Sequence, residues 1–350
     1  MPPSALTQNY DALLSTTLFN YRKTLEDNIS KTNAILWKLK QSEMGYKLVD
    51  DIGERMAMPL MYEIGQADSY AGYDVLDTSP MDGMTMAFYE WRQAAVPIAI
   101  SGVEEKKNQG QAKIISLLEG KTKQAEMGIQ EFFGEKLLIG AGGTTLTTAY
   151  ASPVNGSTFV DPLPKLVHYT PSTSLAVGNI NQSTYSWWRN GFTNSGGATY
   201  AAWLKEMRLA RMAANRGPGG SPDFHISDEN VYALYETALA DKHRNTSYTK
   251  ADIPFENIMF YGSPLVYDER VPDVATGSAT VLNTSGTWYM LNTKFLQVQV
   301  HSGTNFTPTP FVKPENQDAK VSQILWLGGF GCSNRRKQHV VGSIDTTITS

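Results

Sequence analysis

The period of the apolar positions changes along the chain, and each change marks an element. Between residues 15 and 41, Leu18, Leu25, Ile29 and Leu36 recur at steps of seven, four and seven, with Lys23, Asp27, Lys31 and Asn33 on the other faces. Ser15, Thr16 and Thr17 can cap the start. The spacing predicts a helix, either an ordinary amphipathic helix or an arm laid on a neighbouring subunit. Residues 57–101 switch to apolar, strand-like runs, AMPLMYEIG and MTMAFYEWRQAAVPIAI, around a turn carrying Pro80 and Gly83. They predict a long hairpin flap whose tip spans Asp68 to Gly83. Leu60, Met61, Tyr62, Phe88, Tyr89 and Trp91 make it apolar for a flap in water. It is either folded onto its own core or laid across another molecule.

Residues 102–138 return to a helical stripe of Ile114, Leu118, Ala125, Ile129 and Phe132. Gly110, Gly120, Gly128 and Gly134 each cost that helix about 1 kcal/mol relative to Ala, so it needs tertiary support. Gly140, Gly142 and Gly143 follow in LLIGAGG, but Thr145 stands where a dinucleotide loop needs its third glycine. A helix also precedes them where a strand should, so they read as a helix exit. A second helix is predicted over 199–216, ending at Gly217, Gly219 and Gly220, and a third from Ser227–Glu229 through ENVYALYETALADK. NIMFYGSPLVYD, SGTWYMLNT and FLQVQVHSG read as strands. VSQILWLGGFGCSNRRKQHVVGSID reads as two more, joined by a basic turn. The mixed order gives an α+β class.

Composition narrows the function. Hydrophobic residues are 41% of the chain, which excludes disorder. Charged residues are 18%, below the roughly 25% of an ordinary soluble domain, as in a chain that hides surface against partners. The net charge of −4 supplies no global basic field to attract nucleic acid. The lone Cys332 excludes an internal disulfide framework and reads as a small buried hydrophobe. The start, MPPSALTQNYDALL, reads as no secretory leader, and no run approaches the roughly 18 apolar residues of a membrane span.

The chain is poor in candidate chemistry. His168, His225, His243, His301 and His339 stand far apart and make no zinc spacing. There is no nucleophile elbow and no phosphate loop. The pairs Asp50 with Asp51 and Asp268 with Glu269 sit among polar neighbours and are expected to face solvent. No catalytic, cofactor or metal residue is therefore assigned. Two patches stand apart. Trp187, Trp188 and Arg189 form either an interaction anchor or a filled core corner. Arg335, Arg336 and Lys337 form either a solvated turn or a contact to phosphate or an acidic partner.

In its order of parts and several phrases the chain resembles the major capsid proteins of tailed double-stranded DNA phages, the Hong Kong phage capsid fold. LIGAGG after the long helix is similar to the family's glycine-rich exit, and VGNINQSTYSWWRN to its G-I-[DN]-x-S-x-x-x-W-R-N stretch. ENIMFYGSPLVYDERVPD, TWYMLNTKFLQVQVHSGTNF and PENQDAKVSQILWLGGFGCSNRRKQHVVGSI are similar to its C-terminal strands. The resemblance implies an N-terminal arm (1–56), an extended flap (57–101) and a peripheral domain with a spine helix (102–221). An axial domain (222–305) and C-terminal return strands of the peripheral domain (306–350) complete it. It implies no enzyme and no cofactor, but a shell protein of the virion, assembled in the bacterial cytoplasm. That protein forms pentamers and hexamers around double-stranded DNA, with portal and decoration proteins as further partners and no membrane. Leu18, Leu25, Ile29, the six flap residues and the tryptophan patch are then subunit contacts.

Some relatives begin with a long helical scaffold that is cut away. Here 14 residues precede the first predicted helix, so a separate scaffolding protein, or none, is expected. Some relatives also join subunits through a flap lysine. This chain has no lysine between Lys47 and Lys106, and the one base of its flap, Arg92, stays protonated, so uncrosslinked shells are expected. The alternatives are an encapsulin-like compartment, which shares the fold, and a carbohydrate-active enzyme.

Overall fold

The computed structural model describes residues 28, 33–42, 44–51, 53–63, 67, 69–74, 82–107, 111–138, 160–242, 255–271 and 285–349. Helix α1 (Ala34–Gln41) starts where the Asn33 side chain accepts from the amides of Ile35 and Leu36 at 3.1 and 3.2 Å. It buries Ala34, Ile35, Leu36 and Leu39. The predicted 15–41 helix is thus interrupted: Asn33, expected on its polar face, is extended (φ −104°, ψ 114°) and buried, and caps a helix that starts only at Ala34, while Leu18, Leu25 and Ile29 lie outside the described residues. Strands β1 (Tyr46–Val49), β2 (Met56–Met61), β3 (Met84–Tyr89) and β4 (Arg92–Ser101) follow. Helix α2 (Gly102–Lys107) opens on a capping box. Ser101 Oγ accepts from the Glu104 amide, and the Glu104 carboxylate accepts from the Ser101 amide, both at 3.2 Å. Helix α3 (Gln111–Leu138) has 28 residues and runs about 42 Å at 1.5 Å per residue.

After the one-turn α4 (Leu163–Leu166) come the short strands β5 (Ala176–Val177) and β6 (Ile180–Asn181), then β7 (Gly191–Asn194). Helix α5 (Tyr200–Ala214), strand β8 (Phe224–Ser227) and helix α6 (Glu229–Lys242) lead into the last strands. These are β9 (Asn257–Phe260), β10 (Ser263–Tyr267), β11 (Ser285–Leu291), β12 (Leu296–His301), β13 (Thr307–Pro308), β14 (Ala319–Cys332) and β15 (His339–Asp345).

Two sheets organise the chain. In one, β1, β12, β14 and β13 lie in order, and β4 pairs with β14 over ten residues, from Ser101 opposite Ala319 to Arg92 opposite Gly328. The other has the order β7-β15-β11-β8-β10-β9. One face of this second sheet joins the core under α3 through Phe224, Ile226, Tyr289, Leu291 and Val340. The opposite face, with Phe260, Leu265, Trp288 and Met290, takes Trp203, Met207 and Ala210 of α5 and Val231, Tyr235 and Ala238 of α6.

The strand pairing shortens the expected hairpin. The hairpin of 57–101 ends at Tyr89, because β4 leaves it to pair with β14. Of the C-terminal strands, β14 belongs to the first sheet and β15 to the second, and β12 also lies in the first. The chain changes sheets at the 3-10 turn Arg335–Lys337.

That turn corrects the reading of the basic patch. Arg335 is fully buried. Its Nε donates to the Leu166 carbonyl at 2.7 Å, Nη1 to the Trp188 carbonyl at 3.2 Å, and Nη2 to Gln182 Oε1 and Asn190 Oδ1, both at 2.9 Å. Burial lowers the guanidinium to about 10, so it stays charged at neutral pH. Lys337 is buried too. Its Nζ donates to the carbonyls of Arg216 and Gly217 at 3.0 and 2.9 Å, satisfying groups that the end of α5 leaves free. Gln338 exchanges two bonds with the Asn292 backbone, at 2.9 and 3.0 Å. Only Arg336 of the three bases is exposed. The expected contact of Arg335 and Lys337 with an outside anion is therefore replaced by contacts within the subunit: each faces inward and donates to carbonyl and amide oxygens of the protein.

Three buried histidines give the fold a pH dependence. His225 is wholly enclosed, edge-on to Phe260 and Trp288 at 5.3 and 5.9 Å, with neither ring nitrogen bonded among the described residues. Burial pushes it down to about 3, and pushes His168 and His339 to about 4. All three lie below the roughly 6.5 of an unfolded histidine, so as pH falls the unfolded chain binds protons first. The stability is complete above about pH 6.5 and is lost as the pH drops toward 4. Each such histidine steepens that loss by up to about 1.4 kcal/mol per pH unit. Urea unfolding of the subunit is expected to show a midpoint that falls between pH 7 and pH 5, with a shallower fall in His225→Phe. An equal slope in that variant would place the acid sensitivity elsewhere. In the same assay at pH 7.5, Arg335→Gln should cost about 3–5 kcal/mol by leaving buried acceptors unpaired. Arg336→Gln should stay within about 0.5 kcal/mol.

Candidate functional site

The flap is a two-stranded ribbon with two unlike faces. β2 and β3 pair antiparallel from Met56 opposite Tyr89 to Met61 opposite Met84. Period-two alternation sends Met56, Met58 and Leu60 of β2, with Ala87 and Tyr89 of β3, into the subunit's own core. The other face carries Ala57, Pro59 and Met61 opposite Phe88, Met86 and Met84. Met61, Met84, Met86 and Phe88 are 71%, 72%, 53% and 38% exposed, an apolar surface without a charge on it. Pro59 fits because a ribbon edge needs no donor from it.

The root of the flap is held by several contacts. The Tyr89 hydroxyl donates to the Cys332 carbonyl at 2.8 Å, and burial pushes its phenol well above the ordinary value. A Cβ at Gly331 would stand 2.7 Å from the Tyr89 ring, so only glycine lets β14 pass that close. The Phe88 amide donates to the Gly178 carbonyl at 3.0 Å. Tyr62 stacks on Trp187 with ring centroids 4.9 Å apart, and its hydroxyl donates to the Asp82 carbonyl. Trp91 donates from its indole to the Gly53 carbonyl at 3.1 Å.

The Trp-Trp-Arg-Asn motif serves this root from within the subunit. Trp188 is buried and donates to the Val177 carbonyl at 2.9 Å. Arg189 donates to the carbonyls of Gln182 and Ser183, both at 2.7 Å. Asn190 holds His168 from both sides, accepting from its amide at 3.0 Å and donating to its carbonyl at 2.8 Å. Together these fix the β5–β6 turn, and Gly178 in that turn receives β3 at a φ of 60°.

Of the residues expected at a subunit contact, Met61 and Phe88 therefore point outward. Tyr62, Trp91, Trp187 and Arg189 are half-buried around the root. Leu60, Tyr89 and Trp188 are corrections: they are core residues of their own subunit, because strand alternation and the indole bond turn them inward. Ala57, Pro59, Met84 and Met86 were missed, although the alternation in MAMPLM and MTMAFY carries the signal.

No group of three His, Cys, Asp or Glu among the described residues could hold a metal ion. Cys332 is buried, and burial pushes its thiol up to about 12, which leaves it unreactive. Asp268 is drawn in rather than solvated: burial raises its carboxyl, and Arg270 lies 3.8 Å away. No helix among the described residues is long and apolar enough to cross a membrane.

No protein-family model matches the chain, and no curated protein matches it in sequence. Solved structures do match it. The capsid of cyanophage A-1(L) superposes with a TM-score of 0.61 at 15% identity, covering 85% of this chain and 90% of that one. The holo-SrpI encapsulin complex from Synechococcus elongatus PCC 7942 gives 0.53 at 10% identity over 90% and 89%. The capsid of the empty GTA particle gives 0.52 at 10% identity over 87% and 94%. The chain therefore shares the overall fold of these shell proteins, the tailed-phage (Hong Kong phage) capsid fold.

Proposed function

We propose that this chain is the major capsid protein of a tailed phage. It assembles into pentamers and hexamers that close an icosahedral head around double-stranded DNA, and its role is structural rather than catalytic. The observation that carries this reading is the outer face of the flap: Met61, Met84, Met86 and Phe88 stand exposed on a ribbon of only two strands. Such a ribbon is marginal alone, and burying those side chains on a neighbouring subunit supplies stabilisation of about 25 cal/mol per Å² of apolar surface covered. The arm upstream of α1 supplies a second contact in this reading. A scaffolding protein, a portal and a decoration protein complete the assembly in the host cytoplasm, and the shell resides in the virion. The flap offers no lysine nucleophile, so the shell is held by non-covalent contacts.

The likeness to an encapsulin gives the second reading, a protein compartment without a genome. Electron microscopy of purified particles, with their nucleic acid measured, separates the two: DNA-filled shells support the phage head, and empty or protein-filled ones the compartment. Soluble monomers with hydrolytic activity would defeat both.

Two further outcomes are expected. Replacing Met61, Met86 and Phe88 together by Glu should leave a subunit that unfolds at the wild-type urea midpoint and yet does not sediment as shells. Normal particles from that variant would show that the flap is no assembly element. Particles boiled in denaturant should run as a single band near 38.6 kDa. A ladder that survives reducing agent would reveal covalent joints.

A further inference from the structure

The layer of α5 and α6 covering the second sheet carries charge of opposite sign on its two helices. On α5 the side turned away from the sheet presents Lys205, Arg208, Leu209 and Met212, with Arg216 just beyond the helix. Leu209 and Met212 are 54% and 58% exposed. Arg211 flanks this stripe. None of Lys205, Arg208, Arg211 and Arg216 meets a carboxylate among the described residues. The one acid of α5, Glu206, is engaged elsewhere, accepting from Ser195 Oγ at 2.8 Å. On α6 the corresponding side presents Glu229, Ala233 and Glu236, and neither acid has a cationic partner among the described residues.

A second feature marks the basic side. The β9–β10 hairpin turns through Tyr261 and Gly262, with φ of 48° and 83°. A tyrosine in the left-handed region is strained, where Asn or Gly would sit at ease. The turn holds its ring half in solvent beside two guanidiniums, with Arg208 and Arg211 at 5.6 and 5.4 Å from the centroid. Strain that keeps an aromatic outside, between two arginines, marks a surface shaped for contact.

We propose that the α5 stripe with Tyr261 docks on the α6 stripe of a second copy of this chain. The occupant follows from charge and shape. The basic stripe has apolar Leu209 and Met212 at its centre, and the acidic one has Ala233 between its two glutamates, so each pairs an apolar middle with charges of one sign. Pairing unlike helices lets each copy meet two neighbours, one through α5 and one through α6, as a closed ring of identical subunits requires. The contact rests on the shell-subunit reading and adds to it a named pair of surfaces away from the flap.

A charge swap in the full chain tests it. Lys205→Glu with Arg208→Glu, and separately Glu229→Lys with Glu236→Lys, should each cut the assembled fraction about ten-fold in sedimentation. Urea midpoints should stay at the wild-type value, since all four side chains are exposed. Combining the four changes should restore assembly to within about two-fold of wild type. The proposal is overturned if the combined chain stays as defective as either pair, or if the α5 reversal assembles normally. It is equally overturned if that reversal loses only bound nucleic acid, which would make the stripe a phosphate surface. Sedimentation reads rings as well as shells. Wild-type rings that never close would therefore count against the shell reading while the swap still reports on this contact. A wild-type chain that stays monomeric at all concentrations would remove both.

Discussion

The structure depends on a positive charge held away from water. Arg335 sits where the chain crosses from the first sheet to the second, and its guanidinium donates to Leu166, Trp188, Gln182 and Asn190. No carboxylate is among these partners. The charge is stabilised by carbonyl and amide dipoles converging from three loops. Removing the charge would thus unsettle α4, the tryptophan turn and the sheet crossing together. Lys337 and Gln338 extend the same logic over the next residues, closing the end of α5 and the start of the turn at Asn292. A turn that reads as three bases in a row is a set of internal clamps with one exposed member.

That rigid centre explains how the flap can be one-sided. Its root is fixed by the Tyr89 hydroxyl against the Cys332 carbonyl and by the Phe88 amide against the Gly178 carbonyl, and those sites are themselves fixed by Trp188 and the arginine cluster. The ribbon is therefore presented at a set angle, with its methionines outward. Methionine suits such a surface, because its flexible thioether adapts to whatever packs on it. A floppy ribbon would lose more entropy on docking; a pre-positioned one loses less.

The subunit thus separates two kinds of apolar surface that composition alone cannot distinguish. One is internal: three tightly packed aromatics, Trp203, Trp288 and Phe260, fill the layer between the second sheet and its helices. The other is external and includes the flap face, and Leu209 and Met212 among the bases of α5. The low share of charged residues reflects both.

The sequence by itself determined the elements. The helical stripes, the Ser227–Glu229 start of α6 and the strand runs near the C-terminus all act within a few residues of the chain, where local bonding decides the outcome; the cap at Asn33, read as a helix-face residue, shows how one side chain can end a stripe. The phrases around Trp187–Asn190 and the C-terminal strands also carried the resemblance to the capsid fold. Alternation in the flap was legible too, and with it which residues share a face, but not which face is covered. Tertiary structure alone decided that β4 leaves the flap for β14, that β14 and β15 part into different sheets, and that Arg335 and Lys337 turn inward while Arg336 does not. The reason is range. Each of those outcomes rests on partners more than a hundred residues away, such as Leu166 for Arg335, and no local pattern of hydrophobic and polar positions encodes where a distant carbonyl will be left unpaired.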